Sequence, residues 1–300
     1  MGGSYVLKTQ KSDNMNLKDI ETGIVQLIKK AETELPSDVV HALEEAYKIE
    51  DGLAKTQIEA ILKNIDLAKK SHRPMCQDTG IQTFFVQAGI DFPYIGTLKS
   101  LITDAVKRAT KEIPLRPNTV DPFSGVNHKD NTGEQIPYIT WELIEGSDVL
   151  ITALPKGGGS ENMSKLGMLK PGVGIEGVKD FVVNEMIKAG GNPCPPTVVG
   201  VGIGGGADLA MKLGKKALLR PVGERHTDKT IASMEKELIK RINDSDIGPM
   251  GLGGKTTVLD VHIEKAHRHP ASLPVGIAVQ CWADRRATMV IHSDGSWEVK

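Results

Sequence analysis

The chain of 300 residues holds three cysteines, far apart in sequence and each in an unusual setting. Cys76 lies in "RPMCQDTG", Cys194 in "NPCPPT" and Cys281 in "VQCWADRR". None falls in a clean amphipathic helix, and prolines crowd the first two. A free cysteine behaves as a small hydrophobe, so three unrelated buried thiols is the plainest reading. The surroundings of Cys76 and Cys194 argue against it: they are polar and turn-forming, and Gln-Asp-Thr-Gly follows Cys76 directly. Three separated thiolates suit an iron–sulfur cluster better than structural zinc. Such clusters normally take four Cys ligands. Three would leave one metal corner open to substrate, as in other open catalytic sites. Spacing alone leaves both readings open.

Three further stretches look like ligand loops. "GIGGGA" at 202–207 fits the glycine fingerprint of a dinucleotide fold, placed after a strand and before a helix. The acidic residue that should follow at the end of a second strand is missing, because Glu224 lies in the loop-like "LLRPVGERH". Close backbone packing, or helix-start amides receiving a carboxylate, are the other readings. "PMGLGGKTT" at 249–257 resembles a phosphate loop, but Pro249 stands where the motif needs glycine. "HRHP" brings His267 and His269 together with no accompanying metal-ligand motif. Surface or core hydrogen bonding is its ordinary reading.

The elements that must position these groups read as helices first and alternating helices and strands afterwards. Leu17, Ile20, Ile24, Leu27 and Ile28 recur at helical spacing, and Pro36 breaks the pattern with Ser37 or Asp38 as the expected cap. Ile58, Ile61, Leu62, Ile65 and Leu67 continue it. Pro74 discourages helix at Arg73, and "IQTFFVQAG" then reads as a buried strand. Helices are expected over 98–111, 175–189, 207–219 and 227–243, and strands over 136–144, 148–154, 197–204, 257–266 and 274–291. The stretch 120–135 is the candidate long surface loop, and "PKGGGSENMSK" another loop. The fold class is therefore α/β, with mixed sheets, packed helices and a helical N-terminal portion. Residues 1–14 are expected to be a cloning remnant or flexible tail, 15–70 the helical portion and 71–300 the α/β portion bearing the cysteines.

Composition sets limits. A net charge of -1 offers no general basic surface for nucleic acid or membrane, and 4% aromatic residues disfavour base-stacking platforms. No run approaches the ~20 apolar residues of a membrane span. The N-terminal stretch lacks the apolar segment of a secretory signal, so a reducing cytoplasm is the expected compartment.

Six stretches taken together resemble one family. They are "RPMCQDTG", "LRPN", "PKGGGSENMS", "GGNPCPPTVVGVGIGGGADLA", "GLGGKTTVLDVHIE" and "HRHPASLPVGIAVQCWADRR", spread over residues 73–286. The family is the class I, iron–sulfur-dependent fumarate hydratases with the related L-tartrate dehydratases. The match is to the α subunit of its two-subunit form, which corresponds to the N-terminal domain of single-chain members. The resemblance implies a [4Fe-4S] cluster on Cys76, Cys194 and Cys281, with the unligated iron meeting a substrate carboxylate and hydroxyl. It also implies that Gln77, Asp78, Arg116, Gly159 and His269 contact the dicarboxylate. Arg116 would grip a carboxylate bidentately, and the Gly159 N–H would receive charge building on it. Asp78 or His269 would handle the hydroxyl proton.

The implied reaction is reversible hydration of fumarate to L-malate, with L-tartrate dehydration as the alternative. A nucleotide-binding oxidoreductase built on "GIGGGA" is the rival from another class. Single-chain members continue into a second domain that supplies the carbon-proton base. A separate β subunit in an α2β2 assembly is therefore the expected partner, with the cluster at the α–β interface.

Overall fold

The computed structural model describes residues 15–300; the expected tail at 1–14 lies outside the described residues. Three helices come first: α1 (Leu17–Thr33), α2 (Ser37–Ile49) and α3 (Gly52–Ser71). On α1, Ile20, Ile24, Leu27 and Ile28 are fully buried on one face. Burial of each such side chain contributes roughly 1.5–3 kcal/mol, so the stripe that predicted the helix also anchors it. The expected cap of α2 is different in the structure. Pro36 occupies the cap position without a side-chain bond. The Asp38 carboxylate instead accepts the Val222 N–H at 2.7 Å and pairs with Arg286. Leu67, expected on the apolar stripe of α3, is exposed.

The rest of the chain is α/β, as its alternating pattern implies. In order come β1 (Thr83–Gly89), α4 (Leu98–Glu112), β2 (Tyr138–Ile144), β3 (Val149–Ala153), α5 (Gly158–Glu161), β4 (Lys165–Leu169), α6 (Gly174–Ala189), β5 (Thr197–Gly205), α7 (Ala207–Ala217), α8 (Lys229–Asn243), β6 (Val258–Arg268), β7 (Leu273–Gln280), β8 (Ala287–Ile291) and β9 (Trp297–Val299). The stretch 120–135 holds no helix or strand, in line with the expected loop. The short α5, β4 and β9 were not anticipated.

Two mixed sheets form, ordered β2-β1-β3-β8-β9 and β4-β7-β5-β6. In the first, β1 and β2 run parallel while β3, β8 and β9 are antiparallel to their neighbours. Helices α1 and α4 cover it around Phe84, Ile151 and Met289. In the second, β5 and β6 run parallel, flanked by antiparallel β7 and β4. Val199 and Val201 of β5 face the α6–α8 core. The alternate residues Gly200 and Gly202 face α7, because successive strand residues point to opposite sides.

That second face explains the glycine run. A Cβ on Gly202 would lie 2.0 Å from the Ala210 carbonyl oxygen, and one on Gly200 2.0 Å from that of Gly214. The helix backbone rests directly on the strand, so "GIGGGA" is a packing device. The phosphate-loop look-alike has an internal occupant too. Its Lys255 and Thr256 amides donate to the buried Glu50 carboxylate at 2.6–3.0 Å.

One expectation fails in a way that matters. The apolar stretch 274–291 is two strands in different sheets. The chain leaves the second sheet at Gln280, runs through Cys281–Arg286, and enters the first sheet at Ala287. The charged Asp284 and Arg285 in this crossing are buried, and Arg286 is nearly so.

Candidate active site

Met75 and Trp282 are buried in the same apolar cluster, built mainly from α2 and α3. Each is the chain neighbour of a cysteine, so this core holds the Cys76 and Cys281 loops against each other. Glu32 tightens the arrangement from α1. Its backbone carbonyl accepts the Met75 N–H at 3.0 Å. Its carboxylate, with no exposure, accepts from Gln82 Nε2 at 2.8 Å and Arg285 at 2.7 Å. The third cysteine joins through the main chain: the Trp282 N–H donates to the Cys194 carbonyl at 3.1 Å. Cys194 itself has φ of 55°, an unusual value for a side chain with a Cβ. The prolines on either side of it give this turn its rigidity.

The thiols sense one another electrostatically. Burial pushes the Cys194 thiol up, and Cys76 and Asp78 push it further. Burial also pushes Cys281 up; Arg285 opposes this, while Cys76 and Cys194 add to it. Among the described residues, no three His, Cys, Asp or Glu side chains converge tightly enough for a single ion. A cluster spreads its ligands over several metal atoms, and so takes thiols set wider than a lone ion does. Three mutually coupled, unpaired thiols on loops locked to a common core fit that requirement. Cys194 is exposed and the other two are half-buried, so the trio opens at the surface.

Beside the trio lie two clefts. One, of about 540 Å³, is lined by Asp78, Arg116, Asn118, Lys156, Glu161 and Lys215 among others. The second, of about 580 Å³, is lined by Cys76, Gln77, Thr79 and Arg116 with Arg73 and the prolines at 74 and 114. Arg116 borders both. Its main chain is fixed by Thr79, whose hydroxyl accepts the Arg116 N–H at 3.1 Å, and by Asn131 Nδ2 on its carbonyl at 3.1 Å. Its exposed guanidinium makes no ion pair or hydrogen bond among the described residues, so it can grip an incoming carboxylate.

Asp78 is held firmly. One carboxylate oxygen accepts the Gly80 N–H at 2.9 Å and Asn118 Nδ2 at 3.3 Å; the other accepts the Gly158 N–H at 2.8 Å. Gly80 is required at its position. Its φ is 70°, and a Cβ there would lie 2.6 Å from the Lys156 backbone. That close approach is secured by paired main-chain bonds between Ile81 and Lys156, each 3.0 Å. The glycine loop is thus pressed onto the "QDTG" turn.

Lys156 is the buried cation of the cleft. Its Nζ donates to Ser160 at 2.8 Å and pairs with Glu161 at 3.3 Å. Burial lowers its pKa to about 8, against the pull of Glu161. Glu161 in turn pairs with Lys215 at 2.6 Å.

Of the residues expected from the sequence, Gln77, Asp78, Arg116 and the three cysteines come together here. Gly159 lies in α5 and approaches the Cys194 loop, its Cβ position 3.7 Å from the Asn192 carbonyl oxygen; the cleft is lined by Gly158 instead. His269 sits on the exposed β6–β7 turn, where its Nδ1 accepts the Ala271 N–H at 3.1 Å, and it borders neither cleft. Asn118, Lys156, Glu161, Lys215, Glu32 and Arg285 were not assigned from sequence. Asn118 and Lys156 stand in or beside quoted motifs, and Arg285 lies within one; Glu32 has no local signal.

Comparison with known proteins gives a consistent result. Residues 21–290 match the family model described as "Fumarate hydratase (Fumerase)". A protein of Methanocaldococcus jannaschii named "Putative L(+)-tartrate dehydratase subunit alpha" is 52% identical over 285 residues, covering 93% of this chain and 99% of its own length. The L(+)-tartrate dehydratase subunit alpha of Escherichia coli O157:H7 is 40% identical over 268 residues, 89% of this chain and 88% of its own. That of Escherichia coli K12 is likewise 40% identical over 268 residues, with the same coverage of 89% and 88%.

Proposed function

This chain belongs to the fumarate hydratase (Fumerase) family, whose members are hydro-lyases, and on that premise we propose that it is the α subunit of an iron–sulfur dehydratase acting on a small hydroxydicarboxylate, L-tartrate in the first instance. The sequence motifs alone put fumarate and L-malate first. The relatives carrying the tartrate name, at 40% and 52% identity, favour the other order. The family name keeps fumarate as the second reading. The observation that carries the proposal is the convergence of the Cys76, Cys194 and Cys281 loops beside a cleft with one free guanidinium and one firmly oriented carboxylate.

In this reading Cys76, Cys194 and Cys281 hold a [4Fe-4S] cluster. When bound, the cluster supplies a Lewis-acidic iron for the departing hydroxyl. The protein groups do the rest. Arg116 grips one carboxylate and fixes the carbon chain across the cleft. Lys156 and Lys215, offset in part by Glu161 between them, leave a net positive charge that with Arg116 faces the substrate's two carboxylates. Asp78, ordered by Gly80, Gly158 and Asn118, holds or moves the hydroxyl proton. The Gly158 N–H is taken by Asp78, so the Gly159 N–H is the glycine-loop amide left to receive charge growing on the gripped carboxylate. His269 would need to reach the cleft from its turn, and Asp78 carries the proton role here.

The carbon-bound proton lacks an evident acceptor among these groups. A β subunit that supplies one, in an α2β2 assembly, accounts for this and for the opening of the thiol trio at the surface. The relatives' designation as "subunit alpha" supports the same reading. No helix among the described residues is long and apolar enough to cross a membrane.

Loss of water from tartrate yields the enol of oxaloacetate, whereas loss from malate yields fumarate, so the two readings differ in product. Anaerobic co-expression with the β partner, iron and sulfide analysis, and product assays on both substrates test them. Expected are about stoichiometric cluster content and preferential oxaloacetate formation from L-tartrate. Preferential turnover of L-malate would reverse the substrate order, and an iron-free protein inert to both would overturn the proposal.

A further inference from the structure

Arg285 is among the largest fully buried side chains in the molecule. Two of its three nitrogens are accounted for. One terminal nitrogen donates to Glu32 at 2.7 Å and the other to the Asp78 backbone carbonyl at 3.0 Å. The Nε–H is buried and has no partner among the described residues. An orphaned buried donor on a charged group is costly, and folds rarely tolerate one without a reason.

The neighbours narrow the choice of acceptor. The Asp78 carboxylate already takes three donors, and the second Glu32 oxygen is bonded to Gln82. Cys76 and Cys281 lie within the range of the guanidinium charge, and Cys281 is four residues away on the same crossing. The adjacent Arg286 is different: it pairs with Asp38 and with Asp284 and needs nothing further.

We propose that the Arg285 Nε–H is a hydrogen-bond donor to the sulfurs of the cysteine-held cluster, making Arg285 a residue that tunes the cluster from behind its ligands. The inference rests on the cluster reading given above. Hydrogen bonds to cluster sulfurs stabilise the reduced, more negative state and so raise the reduction potential. Glu32 and Gln82 are then explained as well, since they hold the guanidinium in place beside the cysteine loops.

The test is a redox titration followed by electron paramagnetic resonance, on protein purified anaerobically with any subunit that accompanies it. Two variants remove the Nε–H while leaving the local net charge unchanged: Arg285→Lys, and the double variant Glu32→Gln with Arg285→Met. The second covers the case in which lysine packs poorly. Both are expected to bind iron, to show a more negative midpoint potential than wild type, and to lose the cluster faster in air. Arg286→Lys is expected to leave the potential unchanged. A potential identical to wild type in both Arg285 variants overturns the inference while the cluster reading stands. A wild-type protein without iron overturns the cluster reading and the inference with it.

Discussion

The Trp282 amide lies 3.1 Å from the Cys194 carbonyl, and Trp282 itself is buried among the helices that also bury Met75. One tryptophan therefore ties together three loops that are remote in sequence. It does so with groups that no cofactor would touch. The fold can hold the thiols in place before anything binds them.

Replacing Cys194 with Ser should leave this frame intact, because the thiol is exposed and its main-chain bonds do not involve sulfur. Circular dichroism and melting temperature should match wild type, while iron and acid-labile sulfide fall to background. Full cluster content in Cys194→Ser would remove this residue from the ligand set.

Asp78→Asn tests the proton role. The amide keeps the shape but brings an NH2 against one or more of the Gly80, Gly158 and Asn118 donors. Turnover should drop by on the order of 10²-fold or more, the usual cost of losing a positioned acid–base group. Stability should fall by about 1–3 kcal/mol from the mismatched donors. Unchanged kcat with only a stability loss would make Asp78 purely structural.

The pH dependence of stability should carry the mark of Lys156. Its pKa is about 8 in the fold against an ordinary 10.5. Between those values the unfolded chain holds a proton that the folded one lacks, so its contribution to stability rises with pH across that window. Below the window the burial penalty is fully present. The rise should be about 3 kcal/mol in total, since one pKa unit is worth about 1.4 kcal/mol. Urea titrations at several pH values, wild type against Lys156→Gln, isolate this contribution from that of other lysines. Parallel curves would show that Lys156 is charged throughout.

Gly202→Ala should destabilise the protein by about 1–3 kcal/mol or more through overpacking against α7. The added Cβ would meet the Ala210 carbonyl oxygen at 2.0 Å. NAD should not raise the melting temperature of the wild-type protein at any practical concentration. A clear rise would revive the dinucleotide reading of the glycine run.

Much of this was legible in the chain because local chemistry and global placement agree. The Ile20–Ile28 stripe, the loop at 120–135 and the buried β1 segment follow from periodicity and turn residues alone. The crossing at Cys281–Arg286 was not legible. Residues 274–280 and 287–291 both read as strand, and the charges between them look like an interruption of one strand rather than a change of sheet. Their neutralising partners Glu32 and Asp38 lie some 250 residues away, where no local pattern points to them. The same distance hid Glu32 from the site. The oriented Asp78 was found only through its motif, because its three donors come from three separate segments. A preference between one hydroxy acid and another would rest on a few contacts at the site, and no periodicity records such contacts.

The passage of the chain from β7 to β8 has a consequence for how the molecule is completed. Cys281 stands at the seam between the two sheets, directly after β7 of one and shortly before β8 of the other. A chain with one sheet still unformed is expected to carry Cys281 on a loop anchored at one end only, and so not to offer the full trio. A cofactor that demands all three sulfurs would therefore be taken up last, and its arrival would certify a correctly assembled chain.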